Sequence, residues 1–154
     1  PVAMKDVVVF DVDDTVLDSF PAMQELDFGQ IPKLMPDYIE KANGPALPHV
    51  HALYSKLLER GYEVVFITSR SEAFREATEL NLKKVGYDKF SKLIMRQPDE
   101  LLWTVYKYKS TARRKLVELE GFNVVACLGD QWADITGEHA GLGVKVPNLL
   151  SYFC

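Results

Sequence analysis

Asp11, Asp13 and Asp14 crowd together directly behind the apolar run Val7-Val8-Val9-Phe10. A continuous apolar run of this length reads as a buried strand. Several like charges at the end of such a strand are costly unless a cation or protons neutralise them. A bound divalent ion, with one carboxylate left free to do chemistry, meets that constraint most simply. Partners occur farther along the chain. Thr68-Ser69-Arg70 closes the apolar run 64–67, and Gly129-Asp130 closes the run 124–128, with Asp134 one helical turn beyond. Thr68 and Ser69 precede a helical pattern that begins at Glu72, so their hydroxyls and the free amides there suit a phosphate. Arg70 offers a guanidinium fork to a substrate or pairs with an acid such as Glu72.

These residues need elements to position them. Apolar runs at 7–10, 64–67, 93–95, 124–128 and 144–146 predict five strands. Helical spacing predicts helices over 47–60, 72–85 and 110–120, closed by Gly61, Gly86 and Gly121, and a short helix over 134–139. Continuous apolar strands alternating with helices imply a parallel sheet covered on both faces, hence an α/β, doubly wound, Rossmann-like domain. Such sheets place their sites outside the carboxyl ends of the strands. Asp11, Thr68 and Asp130 are therefore expected in one crevice. The segment 19–48, with five prolines, reads as a small cap or flap after strand one, carrying one short helix near 36–42.

The bulk properties fit one domain over 1–154 with a real core: 47% of the residues are apolar and 26% charged. A net charge of −4 disfavours a nucleic-acid backbone as partner. No apolar run approaches the ~20 residues that span a bilayer, so no membrane association is expected; no leader peptide pattern is present, which leaves the compartment cytoplasmic or unknown. Cys127 lies inside a strand pattern and reads as a buried thiol, with Cys154 a tail thiol. His49 and His51 do not share a helix face and are weak metal ligands. His139 reads as a helix-end cap. Trp132 reads as packing against the loop after strand four. Phe20, Phe28 and Tyr38 either line the mouth of the site or join the core.

Asp11-Val12-Asp13-Asp14-Thr15 resembles the D-x-D-x-T motif of the haloacid dehalogenase (HAD) superfamily. Thr68 after a strand, Lys109, and Gly129-Asp130-Gln131-Trp132-Ala133-Asp134 match its other three motifs in order. Within the superfamily, Val65-Phe66-Ile67-Thr68, Asn81-Leu82-Lys83-Lys84, Tyr108-Lys109-Ser110, Gly129-Asp130-Gln131-Trp132 and Lys145-Val146-Pro147-Asn148 resemble the plant-type acid phosphatase and vegetative storage protein branch, class IIIB. That likeness covers nearly the whole chain.

The resemblance implies a Mg²⁺-dependent phosphomonoester hydrolase acting through an aspartyl-phosphate. Asp11 would be the nucleophile, and Asp13 the general acid and then the base. Lys109 would neutralise the phosphate and link to Asp11, with Thr68, Ser69 and Arg70 also binding substrate. Lys109 is preferred over Lys107 because it precedes Ser110, an expected helix N-cap. The implied Mg²⁺ ligands are the side chains of Asp11 and Asp130 and the backbone carbonyl of Asp13. Asp134 would act through water or as an anchor, or would simply be a charge at a helix start. Arg113 fits the family pattern and equally a solvated helix face. Asp14 reads as a solvated or turn-stabilising carboxylate. The substrate class is a small phosphate ester, or phosphate on a larger molecule, entering an open site.

The alternative is a catalytically weak storage or phosphate-binding protein on the same fold, for which loss of the nucleophile would be the mark; Asp11 is present. A receiver module is disfavoured because no aspartate ends the second or third strand.

Overall fold

The structure is a computed structural model that describes residues 4–25, 28, 31–148 and 150. Five strands, β1 (Lys5–Phe10), β2 (Glu63–Ser71), β3 (Lys92–Arg96), β4 (Phe122–Gly129) and β5 (Leu142–Lys145), form one sheet in the order β3-β2-β1-β4-β5. Every neighbouring pair is parallel. Side chains alternate across the pleat. Val8 and Phe10 of β1 join Val64 and Phe66 of β2 in one core, while Val7, Val9, Val65 and Ile67 join a second core on the opposite face. Helices α3 (Pro48–Glu59) and α4 (Arg75–Lys84) bring Tyr54 and Leu82 to the first core. Helices α5 (Val105–Glu118) and α6 (Trp132–Ile135) bring Leu116 and Ile135 to the second. Helices α1 (Phe20–Glu25) and α2 (Ile31–Lys41) fill the connection between β1 and α3. Among the described residues, no helix is long and apolar enough to cross a membrane.

The expected doubly wound α/β fold is present. The sheet grows outward from β1 through β2 to β3, then the chain returns to lay β4 on the other side of β1. The strand order therefore reverses between β1 and β4, where such sheets open a crevice. The two strand ends are stitched together there: the Asp11 amide donates to the Leu128 carbonyl over 2.9 Å.

Several boundaries differ from expectation. The segment 19–48 carries two helices, and Pro36 lies inside α2 rather than opening a helix. Helix α5 starts at Val105, not Ser110, because Thr104 is the N-cap and its hydroxyl accepts the Lys107 amide over 3.2 Å. Ser110 is interior, and its hydroxyl donates back to the Tyr106 carbonyl at 2.6 Å. The last helix among the described residues is α6, which ends at Ile135; Gly137 and His139 then take left-handed conformations, with φ of 91° and 55°. Cys127 is buried as expected, and burial pushes its thiol up to about 11; Cys154 lies outside the described residues.

One connection is built around a buried cation. Arg113 is fully buried, not on a solvated face. Its guanidinium donates to the carbonyls of Asp134 (3.1 Å), Ala133 (3.3 Å), Thr136 (2.5 Å) and Glu138 (3.1 Å). It thereby satisfies the carbonyls at the end of α6, which a helix this short leaves without partners of its own. A lysine has the charge but not the fork. Arg113→Lys is expected to lower unfolding stability by about 2–4 kcal/mol, measured by urea denaturation, because several buried carbonyls lose their donor at once.

Candidate active site

The carboxyl ends of β1, β2 and β4, with α5 beneath them, bring together residues far apart in sequence. Oxygens of Asp11, Asp130 and Asp134 lie within 4.8 Å of one another, and all three residues are buried. Lys109 is 2% exposed. Its ammonium donates to Asp11 Oδ1 at 2.5 Å and to the Ile67 carbonyl at 2.5 Å, and pairs with Asp134 Oδ1 at 2.8 Å. An ammonium has three donors, and here each has an acceptor. Burial opposes the charged amine, but Asp11 and Asp134 outweigh it and hold Lys109 protonated, with its pKa above the ordinary lysine value. Burial, and then the charge of Asp134, raise the pKa of Asp11 well above the ordinary carboxylate range despite the Lys109 partner.

Short contacts fix each carboxylate. Asp130 accepts from the Thr15 hydroxyl (3.1 Å), from Gln131 Nε2 (2.7 Å) and from Asn148 Nδ2 (2.5 Å), while its amide donates back to Thr15 Oγ1 at 3.1 Å. Asp134 sits at the third position of α6. There its Oδ2 accepts the Gln131 amide at 3.0 Å, as a reciprocal capping box. It lies outside one continuous helix with Asp130, because α6 begins only at Trp132, yet both carboxylates reach the same point. Gly129 permits this approach: a Cβ there would overlap the Asp134 side chain. Asp14, at φ 59°, accepts the Ser19 amide (3.0 Å) and hydroxyl (2.6 Å), so it is a turn-stabilising group. Burial pushes its carboxyl up to about 6, against those hydrogen bonds.

The other predicted residues are placed differently. Asp13 turns away from the trio and takes a forked pair from Arg70, with Nη2 to Oδ1 at 2.7 Å and Nε to Oδ2 at 3.0 Å. Arg70 is buried and also donates to Thr78 Oγ1 at 3.0 Å. It neither reaches outward as a free fork nor pairs with Glu72, which instead takes Arg75. The cause is an irregularity in β2. Between the pairs Ile67–Ile94 and Ser71–Arg96 the register shifts, and the extra residues turn Arg70 inward. Thr68 is fully buried, with its hydroxyl accepting the Arg70 amide at 3.2 Å, whereas Ser69 is exposed and lines the cavity. Trp132 is 60% exposed, with the Lys145 ammonium 5.8 Å from its ring centre. Sequence reasoning missed Thr15, Gln131 and Asn148 as site residues, although all three sit inside the quoted motif segments.

Three carboxyl groups share one ammonium in a buried site, so, ionised together, they would need a further cation. Their donors are all hard oxygens, the set that divalent ions such as Mg²⁺ or Ca²⁺ prefer. The residues present therefore fit a divalent cation.

A doubly wound parallel α/β sheet with a buried acidic cluster and a lysine at its switch point is the class of domain that fold and site define. The chain belongs to the HAD superfamily, subfamily IIIB (acid phosphatase), whose family model matches residues 2–152. It is 36% identical to Acid phosphatase 1 of Solanum lycopersicum, with 96% of this chain and 59% of that protein aligned. It is 38% identical to Vegetative storage protein 1 of Arabidopsis thaliana, with 96% of this chain and 55% of that protein aligned. The chain thus spans little more than half the length of these relatives. A class C acid phosphatase from Bacillus anthracis with tungstate bound has the same fold: TM-score 0.79 at 24% identity, over 98% of this chain and 70% of that one.

Two outcomes check this geometry. Gly129→Ala is expected to cost about 1–3 kcal/mol of stability by urea denaturation, because the added methyl drives Asp134 out of place. Asp14 has a folded-state pKa above its unfolded value. Its contribution is therefore fully present below about pH 4 and is lost as pH rises through about 6. In metal-free buffer Asp14→Asn is expected to match the parent near pH 4. Near pH 8 it is expected to exceed the parent by about 2–3 kcal/mol, read from paired unfolding curves.

Proposed function

We propose that the chain is a Mg²⁺-dependent phosphomonoester hydrolase acting through an aspartyl-phosphate on Asp11. The observation that carries this reading is the Asp11 carboxylate, held by Lys109 at the mouth of β1 with Asp130 and Asp134 beside it. One Asp11 oxygen is pinned by the ammonium, which orients the other for attack on phosphorus. Lys109 keeps its charge, so it offsets both the nucleophile and the incoming phosphoryl oxygens. Asp11, Asp130 and Asp134, with the backbone of Asp13, would hold Mg²⁺, which when bound supplies charge stabilisation to the phosphoryl group. Thr68 and Ser69 stand at the end of β2, where phosphoryl oxygens need donors. Asp13 would be the acid for the leaving oxygen and then the base for water once its carboxylate turns out of the Arg70 fork, which here occupies both of its oxygens. The Arg70 fork fixes the carboxylate's orientation, so Arg70 is a positioning residue rather than a substrate contact.

The likeness to a protein named for storage keeps a second reading in view, a phosphate-binding protein of weak activity. The two differ in turnover. Metal-dependent hydrolysis of p-nitrophenyl phosphate is expected, abolished by EDTA and restored by Mg²⁺. Asp11→Asn is expected to lower kcat at least 10³-fold, the scale on which loss of a nucleophile acts, while the variant stays folded. A folded parent that binds phosphate with Mg²⁺ but turns nothing over would select the second reading.

A further inference from the structure

Asn148 takes no part in the reaction assigned to Asp11, Asp13 and Lys109. Yet it is 6% exposed and lines the cavity whose floor is the acidic cluster. The chain on both sides fixes its place. The Val146 amide donates to the Gly129 carbonyl at 2.8 Å, which carries the pairing of β5 with β4 one residue past Lys145. Pro147 has no N–H and cannot extend the ladder, so the chain leaves the sheet beside Asp130. Asn148 Oδ1 then accepts the Leu150 amide at 2.6 Å. That bond orients the side-chain amide, and Nδ2 is the end that donates to Asp130 Oδ2, at 2.5 Å. Gln131 is oriented in the same manner. Its side chain accepts the Asp134 amide in the capping box, so Nε2 is the end that reaches Asp130 Oδ2, at 2.7 Å. Two N–H donors therefore converge on one carboxylate oxygen. Such an oxygen has about two lone-pair positions, and on Oδ2 both are taken. The Thr15 hydroxyl donates to Oδ1 at 3.1 Å; a hydroxyl rotates and leaves that oxygen room for a further partner. All three donors are neutral, so they hold the carboxylate without cancelling its charge.

This arrangement bears on which ion the site accepts. Ca²⁺ collects about six to eight oxygens in a flexible geometry and readily takes both oxygens of one carboxylate, whereas Mg²⁺ demands a strict octahedron and keeps several waters. Asp130, clamped at Oδ2, has a single oxygen to offer. We infer that Asn148, with Gln131, is a positioning residue that holds Asp130 as a one-oxygen ligand and so sets the site against Ca²⁺. The inference rests on the divalent-ion reading of Asp11, Asp130 and Asp134. It gives the segment Lys145-Val146-Pro147-Asn148 a role at the site, although that segment lies beyond the last strand and far in sequence from Asp11.

The test reads metal affinity rather than turnover. Dissociation constants of Mg²⁺ and Ca²⁺ are measured by calorimetry on the parent, on Asn148→Ala and on Asn148→Leu; the second variant keeps the volume of the side chain and lacks the donor. The parent is expected to bind Mg²⁺ at least as tightly as Ca²⁺, and a clear preference for Ca²⁺ overturns the inference without any variant. In both variants the Mg²⁺ constant is expected to weaken about tenfold, the scale on which loss of a group that orients a ligand acts. The Ca²⁺ constant is expected to stay within about twofold or to tighten, because the freed Oδ2 becomes a second ligand oxygen. The ratio of the two constants thus shifts about tenfold toward Ca²⁺. A merely structural role weakens both ions alike. Equal weakening of both, or an unchanged ratio in a variant that circular dichroism shows to be folded, overturns the inference. A folded parent that binds neither ion removes the divalent-ion reading and the inference with it. A shifted ratio in a protein that turns over no phosphate ester with Mg²⁺ leaves the clamp standing and removes the hydrolase reading. Mg²⁺-dependent turnover with an unchanged ratio does the reverse.

Discussion

Everything at the crevice depends on the ammonium of Lys109. Without it, Asp11 and Asp134 would face each other across a few ångströms of buried space. Burial alone disfavours ionised carboxylates, and each makes the other worse. Lys109 meets both, and its third proton goes to the Ile67 carbonyl at the point where β2 leaves regular pairing. One side chain thus ties the ends of β1 and β2 to the start of α6. Burial first, and then the charge of Asp134, push Asp11 up in spite of Lys109, and the surplus of carboxylate oxygens fits a divalent ion. The same imbalance that costs stability is what a divalent cation would relieve.

The sheet and its crevice were legible in the sequence because they follow from hydrophobic pattern alone. Val7-Val8-Val9-Phe10 and Val64-Val65-Phe66-Ile67 are apolar on both faces, and only a doubly covered parallel sheet buries both. The convergence of Asp11 with Asp130 follows from topology. What escaped were interactions set by long-range geometry. The pairing of Arg70 with Asp13 crosses most of the first half of the chain, and it depends on a register shift that no local pattern records. For Arg113 the sequence left the family pattern and a solvated helix face equally open, because charge is usually solvated. Its burial follows from the carbonyls of a short helix packed across from it. The start of α5 was misjudged because Ser110 and Thr104 are both good caps by type. Only tertiary placement chose Thr104, and the Tyr106-Lys107-Tyr108-Lys109 alternation hides the helical face.

The relation between site and surroundings also separates two kinds of information. The floor of the cavity is built from residues on strands and on helices packed against the sheet, so its geometry is set by the main core. The walls come largely from α1, Phe28 and α2, which make few contacts with the sheet. Such an arrangement lets the floor built on the sheet stay constant while the opposite end varies.

Lys109 and Arg113 are one helical turn apart on the buried face of α5, beside Tyr108, Ala112 and Leu116. The first holds the carboxylate at the end of β1; the second holds the backbone that presents Asp134. Helix α5 is therefore a rigid bar with two handles, and any slide or rotation of it moves both halves of the cluster together. For the history of the chain, this means the handles are inherited as a pair. Drift at one would leave the other gripping a loop in the wrong place, so a change at either is felt at both ends of the cluster.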